Sequence, residues 1–444
     1  MNEMKKTLIY TGVALGLLLI AYFVTPERIT PEAFQDQGEQ FFPEFTDPNT
    51  AMTLEVIEFD KNTGAPKPFK VTFENDRWLI PSEYNYPADA RDRLAQTAAG
   101  IIELKKDDVR SDNTSNYVLT GVIDPLDETA GLEGRGTRVT IKGENEVILA
   151  DIIIGNPVEG KSDYRFVRLP EQKRVYAAKV NLDLSTKFQD WIETDLLLAV
   201  KDSINFLLIQ DYSINERTGK LNNKDFIALN KKNNEWKADK MPSGKVVSKA
   251  AIDSMLFALT ELRIVGVRPK PPGVSASLQK LSQGKTEIKQ SDMRSLQSRG
   301  FYFTGEGQLV SNEGELTVRT TEGVQYKLRF GEVVSGEQIE GQAPQENRYL
   351  FITAEFADKL YPEPEKPTNM DFQNKADYQL TDQDQVNKGR DKKHSEWEQA
   401  VAVGKQKAEM LNNRFADWYY IISSESFDAL KYDRSDLIVS PSQS

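Results

Sequence analysis

Apolar positions along the chain recur with two periods, and the two periods come in the same order twice. Before Trp78, Phe69 and Val71 alternate with polar residues; before Trp236, Ile227 and Leu229 stand at the same distances. Alternation over a short run predicts a half-buried strand. After Trp78 come Leu94, Ala98 and Ile101, and after Trp236, again at matching distances, come Ile252, Leu256 and Leu259. Spacings of four and three put each trio on one face of an amphipathic helix. Pro87 is expected to open the first helix and Ser248 to cap the second.

The parallel continues downstream. Arg138-Val139-Thr140-Ile141 and Leu316-Thr317-Val318-Arg319 alternate as strands, and Glu146 to Ile154 and Gln325 to Phe330 follow as their hairpin partners. Both hairpins end in glycine, Gly155 and Gly331, and each is followed by a strand with an aromatic residue, Tyr164-Arg165-Phe166-Val167 and Tyr349-Leu350-Phe351-Ile352. Phe188-Gln189-Asp190-Trp191 and Phe415-Ala416-Asp417-Trp418 read as a last echo. The prediction is an α+β architecture: a duplicated unit of antiparallel β-meander with one packed helix per copy, at 51–202 and 203–361. The second copy is enlarged. A short helix is expected at Ser291 to Ser298, and the turn Gly305-Glu306-Gly307 follows it. An acidic, proline-rich insertion at 362–395 reads as disordered, and residues 396–444 supply a helix and strand that complete the copy.

The N-terminus departs from this pattern. Thr7 to Val24 carries no charge, and 18 residues of helix span ~27 Å, close to the apolar thickness of a bilayer. Lys5 and Lys6 precede it, which places the N-terminus in the cytoplasm and the bulk of the chain outside it. Ala21-Tyr22-Phe23-Val24 lacks the small residues of a cleavage site, so residues 1–24 read as an uncleaved tip and single-pass anchor. Four prolines in residues 25–50 suggest an extended stalk.

Composition then narrows the chemistry. With no cysteine, the 444 residues hold no disulfide or thiolate site, and a single histidine, His394, argues against multi-histidine metal centres. A net charge of −12 argues against nucleic acid as a partner. His394 lies in a charged run and reads as a surface residue. No Walker loop or dinucleotide fingerprint occurs, and Gly131 to Gly136 reads as a turn. Asp60 to Gly64 has a faint calcium-loop look but Val71 where the glutamate belongs, so it reads as a hairpin turn. Asp107-Asp108 and Asp382-Gln383-Asp384 read as polar-loop pairs. Trp78, Trp191, Trp236 and Trp418 read as core anchors rather than sugar-stacking platforms, and Arg268 to Pro272 as a basic, proline-rich turn. No catalytic, cofactor or metal residue emerges, and the chain is not expected to be an enzyme or to carry a cofactor.

Trp78 to Pro81, Ile152 to Gly155, Tyr164 to Val167, Gly300 to Tyr302, Ser311 to Glu315, Tyr326 to Gly331 and Arg414 to Ile422, taken in order behind an anchor, resemble the DUF4340 family. Its members are bacterial, membrane-anchored and of unknown function, and similar proteins are often encoded beside gliding-type ABC transporters. The resemblance implies an extracytoplasmic accessory protein of the inner membrane, with transporter subunits as partners. It brings no catalytic residues. An envelope glycan- or lipid-binding domain, a carboxylate-dependent hydrolase and a structural envelope protein are the alternatives.

Overall fold

The computed structural model describes residues 10–17, 36–215, 218, 220–279, 289–304, 307–334 and 346–443. Its strands form two large antiparallel sheets. The first is built from β1 (Thr53–Asp60), β2 (Ala65–Glu74), β3 (Arg77–Ile80), β4 (Tyr86–Pro87), β5 (Asp108–Ser111), β6 (Thr137–Lys142), β7 (Ile148–Pro157), β8 (Tyr164–Arg168) and β9 (Val175–Lys179), in the order β4-β3-β2-β1-β6-β7-β8-β9-β5. The second uses β10 (Ile204–Asn215), β11 (Lys220–Lys232) and β12 (Glu235–Ala238), then, past the short β13 (Val246–Val247), β14 (Ile264–Pro269). Its further strands follow the small hairpin β15 (Phe301–Phe303) and β16 (Leu309–Ser311): β17 (Glu315–Thr320), β18 (Val324–Val333), β19 (Arg348–Phe356) and β20 (Trp418–Ile422). Its order is β12-β11-β10-β17-β18-β19-β20-β14. Strand for strand this repeats the first sheet without β4. The duplication is therefore topological as well as sequential.

Local chemistry explains the repeat. Asn75 and Asp76 join β2 to β3, and Asn233 and Asn234 join β11 to β12, all four with positive φ. Such two-residue turns match the twist of a hairpin, and Asn and Asp tolerate that conformation best after glycine. The predicted helices are α1 (Arg91–Ile102) and α2 (Lys249–Thr260). They bury Leu94, Ala98 and Ile101, and Ile252, Leu256 and Leu259, as the spacing required. Ser248 caps α2 by accepting from the Ala251 amide at 3.3 Å. Pro87 does not open α1; it sits in β4, where a proline that lacks an N–H is tolerated at a sheet edge.

The chain divides into two compact units, one of Met1–Lys70 with Arg91–Leu184 and one of Val71–Ala90 with Ser185–Ser444. In the first, the end of the expected stalk is held in place. Backbone bonds run from Gly38 and Phe41 to the carbonyls of Lys106 and Leu104, and the Phe41 ring meets Tyr176 edge-on at 5.2 Å. Only residues 25–35 of the stalk remain outside the description. Of the apolar N-terminal run, residues 10–17 are helical, and the rest lies outside the described residues. Among the described residues no helix is long and apolar enough to cross a membrane.

The structure corrects three expectations. The strand matching β20 is β9, so Phe188 to Trp191, a 3-10 turn after β9, is not the counterpart of Phe415 to Trp418. Pairing of Ile154 with Val167 and of Phe330 with Leu350 makes Phe166, not Tyr164, the equivalent of Tyr349, two residues off the expected alignment. The insertion expected as disordered is ordered too. Past two short helices, α3 (Pro272–Gln279) and α4 (Gln290–Gln297), a long helix, α5, runs from Asp382 to Ala416, started by a reciprocal capping box between Thr381 and Asp384. It occupies, with residues 357–381, the place that the turn 169–174 takes in the first copy.

The two hairpin glycines share one physical reason. A Cβ on Gly155 would lie 2.3 Å from the Thr120 carbonyl oxygen, and one on Gly331 would lie 2.2 Å from that of Arg299. In each copy an arginine of the next strand, Arg165 or Arg348, donates to the glycine's own carbonyl. Gly331→Ala is expected to lower stability by about 1–3 kcal/mol through overpacking against fixed backbone, read by chemical denaturation. An unchanged midpoint would show that the neighbouring chain gives way.

Candidate functional site

The chemistry-bearing residues of the second unit gather on the outer face of its sheet. Along β18, Tyr326, Leu328 and Phe330 point to one side, and Lys327 and Arg329 to the other. On that other side Glu315 stands opposite Arg329 in the β17–β18 ladder, and Gln325 donates to Glu355 on β19 at 2.9 Å. A sheet face of this composition is normally solvated. Here its Glu315–Arg329 end is covered, both residues being less than a tenth exposed, while Glu355 stays exposed.

Burial forces these charges to be paired. Arg329 lies 3.3 Å from the Glu315 carboxylate, and also donates to the Leu309 carbonyl on β16 and to the Thr353 hydroxyl. Tyr212 donates to Glu315 at 3.2 Å, and its own oxygen accepts from the Ser311 amide. Burial, then the Glu315 charge, pushes the Tyr212 hydroxyl up to about 12. The first copy meets the same constraint with reversed signs. Arg138 stands where Glu315 does, and Asp151 where Lys327 does; the two are 2.6 Å apart.

Lys270 is the least expected member. Read as part of a basic surface turn, it is 4% exposed. Its backbone amide bonds the Asp417 carbonyl, and its Nζ donates to the Phe415 carbonyl at 2.8 Å while lying 4.0 Å over the Phe351 ring. Phe415 is in the last turn of α5, where unpaired carbonyls favour a cation. Burial nevertheless holds the ammonium well below the usual lysine range, against the opposing charge of Asp417. Sequence gave no sign of this burial, because the turn is flanked by prolines on both sides.

His394 also differs from expectation. Its side chain is only 12% exposed, with Nε2 3.0 Å from Glu363 and Nδ1 3.6 Å from Glu398. Asp382 and Asp384 are in the first turn of α5 rather than a loop. Hydrogen bonds from Lys375 and then Thr381 hold the Asp384 carboxyl down at about 2. Among the tryptophans Trp191 is fully buried, its Nε1 donating to the Ser185 carbonyl. Trp78, Trp236 and Trp418 are half-buried: Trp78 packs on Phe73 and Trp418 on Tyr86. Asp60 accepts from Asn62 and Thr63, as a hairpin turn requires. The Gly131–Gly136 turn wraps Arg135, whose guanidinium donates to five backbone carbonyls.

A small open depression lies beside the covered face, lined by Asp211, Glu313, Glu315 and Asp433 with Phe330, Leu430 and Lys431. Lys431 pairs with Glu313 at 3.1 Å, and Lys224 lies 3.5 Å from Asp211. Among the described residues no group of three His, Cys, Asp or Glu side chains is placed to hold a metal ion.

Two outcomes test the buried charges. Glu315→Leu, which strands Arg329, is expected to cost about 3–5 kcal/mol, whereas its combination with Arg329→Met costs less than either single change. Denaturation of the three variants reads the difference. The unfolded chain binds more protons than the folded one between the depressed value of Lys270 and the ordinary lysine value of ~10.4, so stability there rises with pH. Lys270→Met is expected to remove that rise, read by denaturation at alkaline pH below ~10, where the raised tyrosines do not yet act in the opposite direction.

No curated protein and no solved structure matches the chain. The family described as Domain of unknown function (DUF4340) matches residues 78–282, from the Trp78 hairpin through α2 and β14 to just beyond them. Over that span, just under half of the chain, the sequence matches the DUF4340 family, as the resemblance around Trp78 and Ile152 implied.

Proposed function

We propose that this protein is a single-pass, membrane-anchored extracytoplasmic accessory protein that binds a partner and performs no chemistry of its own. The observation that carries the reading is the uncharged run Thr7 to Val24 behind Lys5 and Lys6. What the second copy adds supports it. Three of its buried ionisable groups are engaged with other side chains or with backbone: Arg329 with Glu315, Lys270 with the Phe415 carbonyl, Asp384 with Lys375. Such arrangements hold a structure together rather than present an acid–base pair to a substrate. The partner class we favour is an ABC-type transporter of the gliding kind, an inference from the family resemblance.

A second reading keeps some support. The acid-lined depression and the half-buried tryptophans are features that a glycan- or lipid-binding domain would use.

Membrane fractionation with alkaline extraction, followed by affinity purification after mild detergent, separates these readings. The expected result is retention in the extracted membrane and recovery of transporter subunits with the protein. Release by alkali, or repeated recovery of the protein alone, would count against the anchored accessory role. Saturable binding of envelope glycans or lipids, lost in Glu313→Gln, would favour the second reading.

A further inference from the structure

Helix α5 has two halves of different character. From Gly404 onward its buried positions are Gly404, Ala408, Leu411, Phe415 and Ala416, an apolar stripe on the second unit's sheet. Before Val401 the covered stripe runs through Asp384, Asn387, Arg390, His394 and Trp397, which keeps helical spacing but is almost wholly polar. A polar stripe gains little from burial alone. What it faces is the extended segment that precedes the helix.

That segment, extended from Tyr361 to Met370 and then turning through a 3-10 helix at Asp371–Asn374 to Lys375, runs antiparallel to α5 and is read rung by rung. Trp397 Nε1 donates to the Tyr361 carbonyl at 2.9 Å, and His394 meets Glu363 at 3.0 Å. Arg390 pairs with Glu365 at 2.6 Å. Asn387, fully buried, accepts from the Thr368 amide and hydroxyl and donates to Asn369. Lys375 closes the series on Asp384 at 2.8 Å. Along the segment the half-buried positions are Tyr361, Pro364 and Pro367, with exposed residues between them. A repeat of three is the period of polyproline II, a conformation that loses little entropy on docking and is a common form of peptide ligand.

We propose that the N-terminal half of α5 is a receptor face for an extended, acidic, proline-containing polypeptide segment. Residues 361–369 occupy it in cis, and a partner segment of the same pattern exchanges with them. The rungs at Glu363 and Glu365 are ion pairs on exposed carboxylates, individually weak and sensitive to salt, which makes the occupant replaceable, while the buried Asn387 reads its backbone. The proline ridge and the ordered spacing of Trp397, His394, Arg390 and Asn387 make it selective. The proposal deepens the binding-protein reading by giving the partner a chemistry. Its test needs neither membrane nor transporter, so its failure would leave the anchored role standing.

The experiment titrates a labelled peptide with the sequence of residues 361–370 into three full-length proteins: unaltered, Pro364→Gly with Pro367→Gly, and that double variant carrying Arg390→Glu. Loosening the cis segment is expected to tighten peptide binding about tenfold, because the competing occupant is less often seated. Arg390→Glu is expected to reverse the gain, and raising the salt to weaken binding in the loosened protein. Equal affinity for all three proteins, or no binding to the loosened one, overturns the proposal. Hydrogen exchange on the unaltered chain supplies a check independent of the variants. Amides of 362–375 should open as a unit ahead of those in β17 to β20; protection lost only together with the sheet would also overturn it.

Discussion

The constraint on which the second unit depends is that its central strands are covered on both faces. Antiparallel sheets usually leave one face to water, and the period-two pattern of β18 is written for that case, with Lys327 and Arg329 on the outer side. Once the β15–β16 hairpin and α5 cover the side, each charge must find a partner inside the protein. Glu315, Tyr212 and Thr353 supply partners for Arg329, and the Leu309 carbonyl completes them. Lys270 satisfies the same requirement differently, at the C-terminal carbonyls of a 35-residue helix and over an aromatic ring. A buried pair of this kind adds little net stability, but its loss on one side is costly.

The two copies show which parts of this solution are free to change. Arg138 and Asp151 in the first copy hold the positions of Glu315 and Lys327 in the second, with the signs exchanged. The ladder requires opposite charges across neighbouring strands and is indifferent to which strand carries which. The hairpin glycine is not free in this way. Gly155 and Gly331 each lie against a carbonyl that a side chain would strike, and that geometry is the same in both copies.

Elaboration of one copy is a natural route to a new surface on a duplicated scaffold. The first copy joins β8 to β9 through residues 169–174, and the second fills that place with residues 357–417. The inserted chain returns to the sheet through the apolar stripe of α5 and carries outward a polar stripe already occupied by an extended segment. Function placed on such an addition leaves the repeated core unburdened, since the helix half that packs on the sheet and the half that meets the segment share few positions.

Much of the scaffold was legible in the residues. The period-two runs, the helical trios, the hairpin glycines and the Ser248 cap each report a local physical preference, and local preferences survive into the fold wherever one face is buried. Their repetition announced the duplication. The outer face was not legible. Lys270 between prolines, His394 among lysines and the acidic run after Pro362 all have the composition of solvated chain, and each is covered or ordered only because residues far away in sequence pack against it. The sequence by itself determined the elements and their order, because those depend on neighbours along the chain. Which charged residues are buried, and which partners hold them there, only the tertiary structure decided, because burial is a property of what folds over a residue rather than of the residue itself.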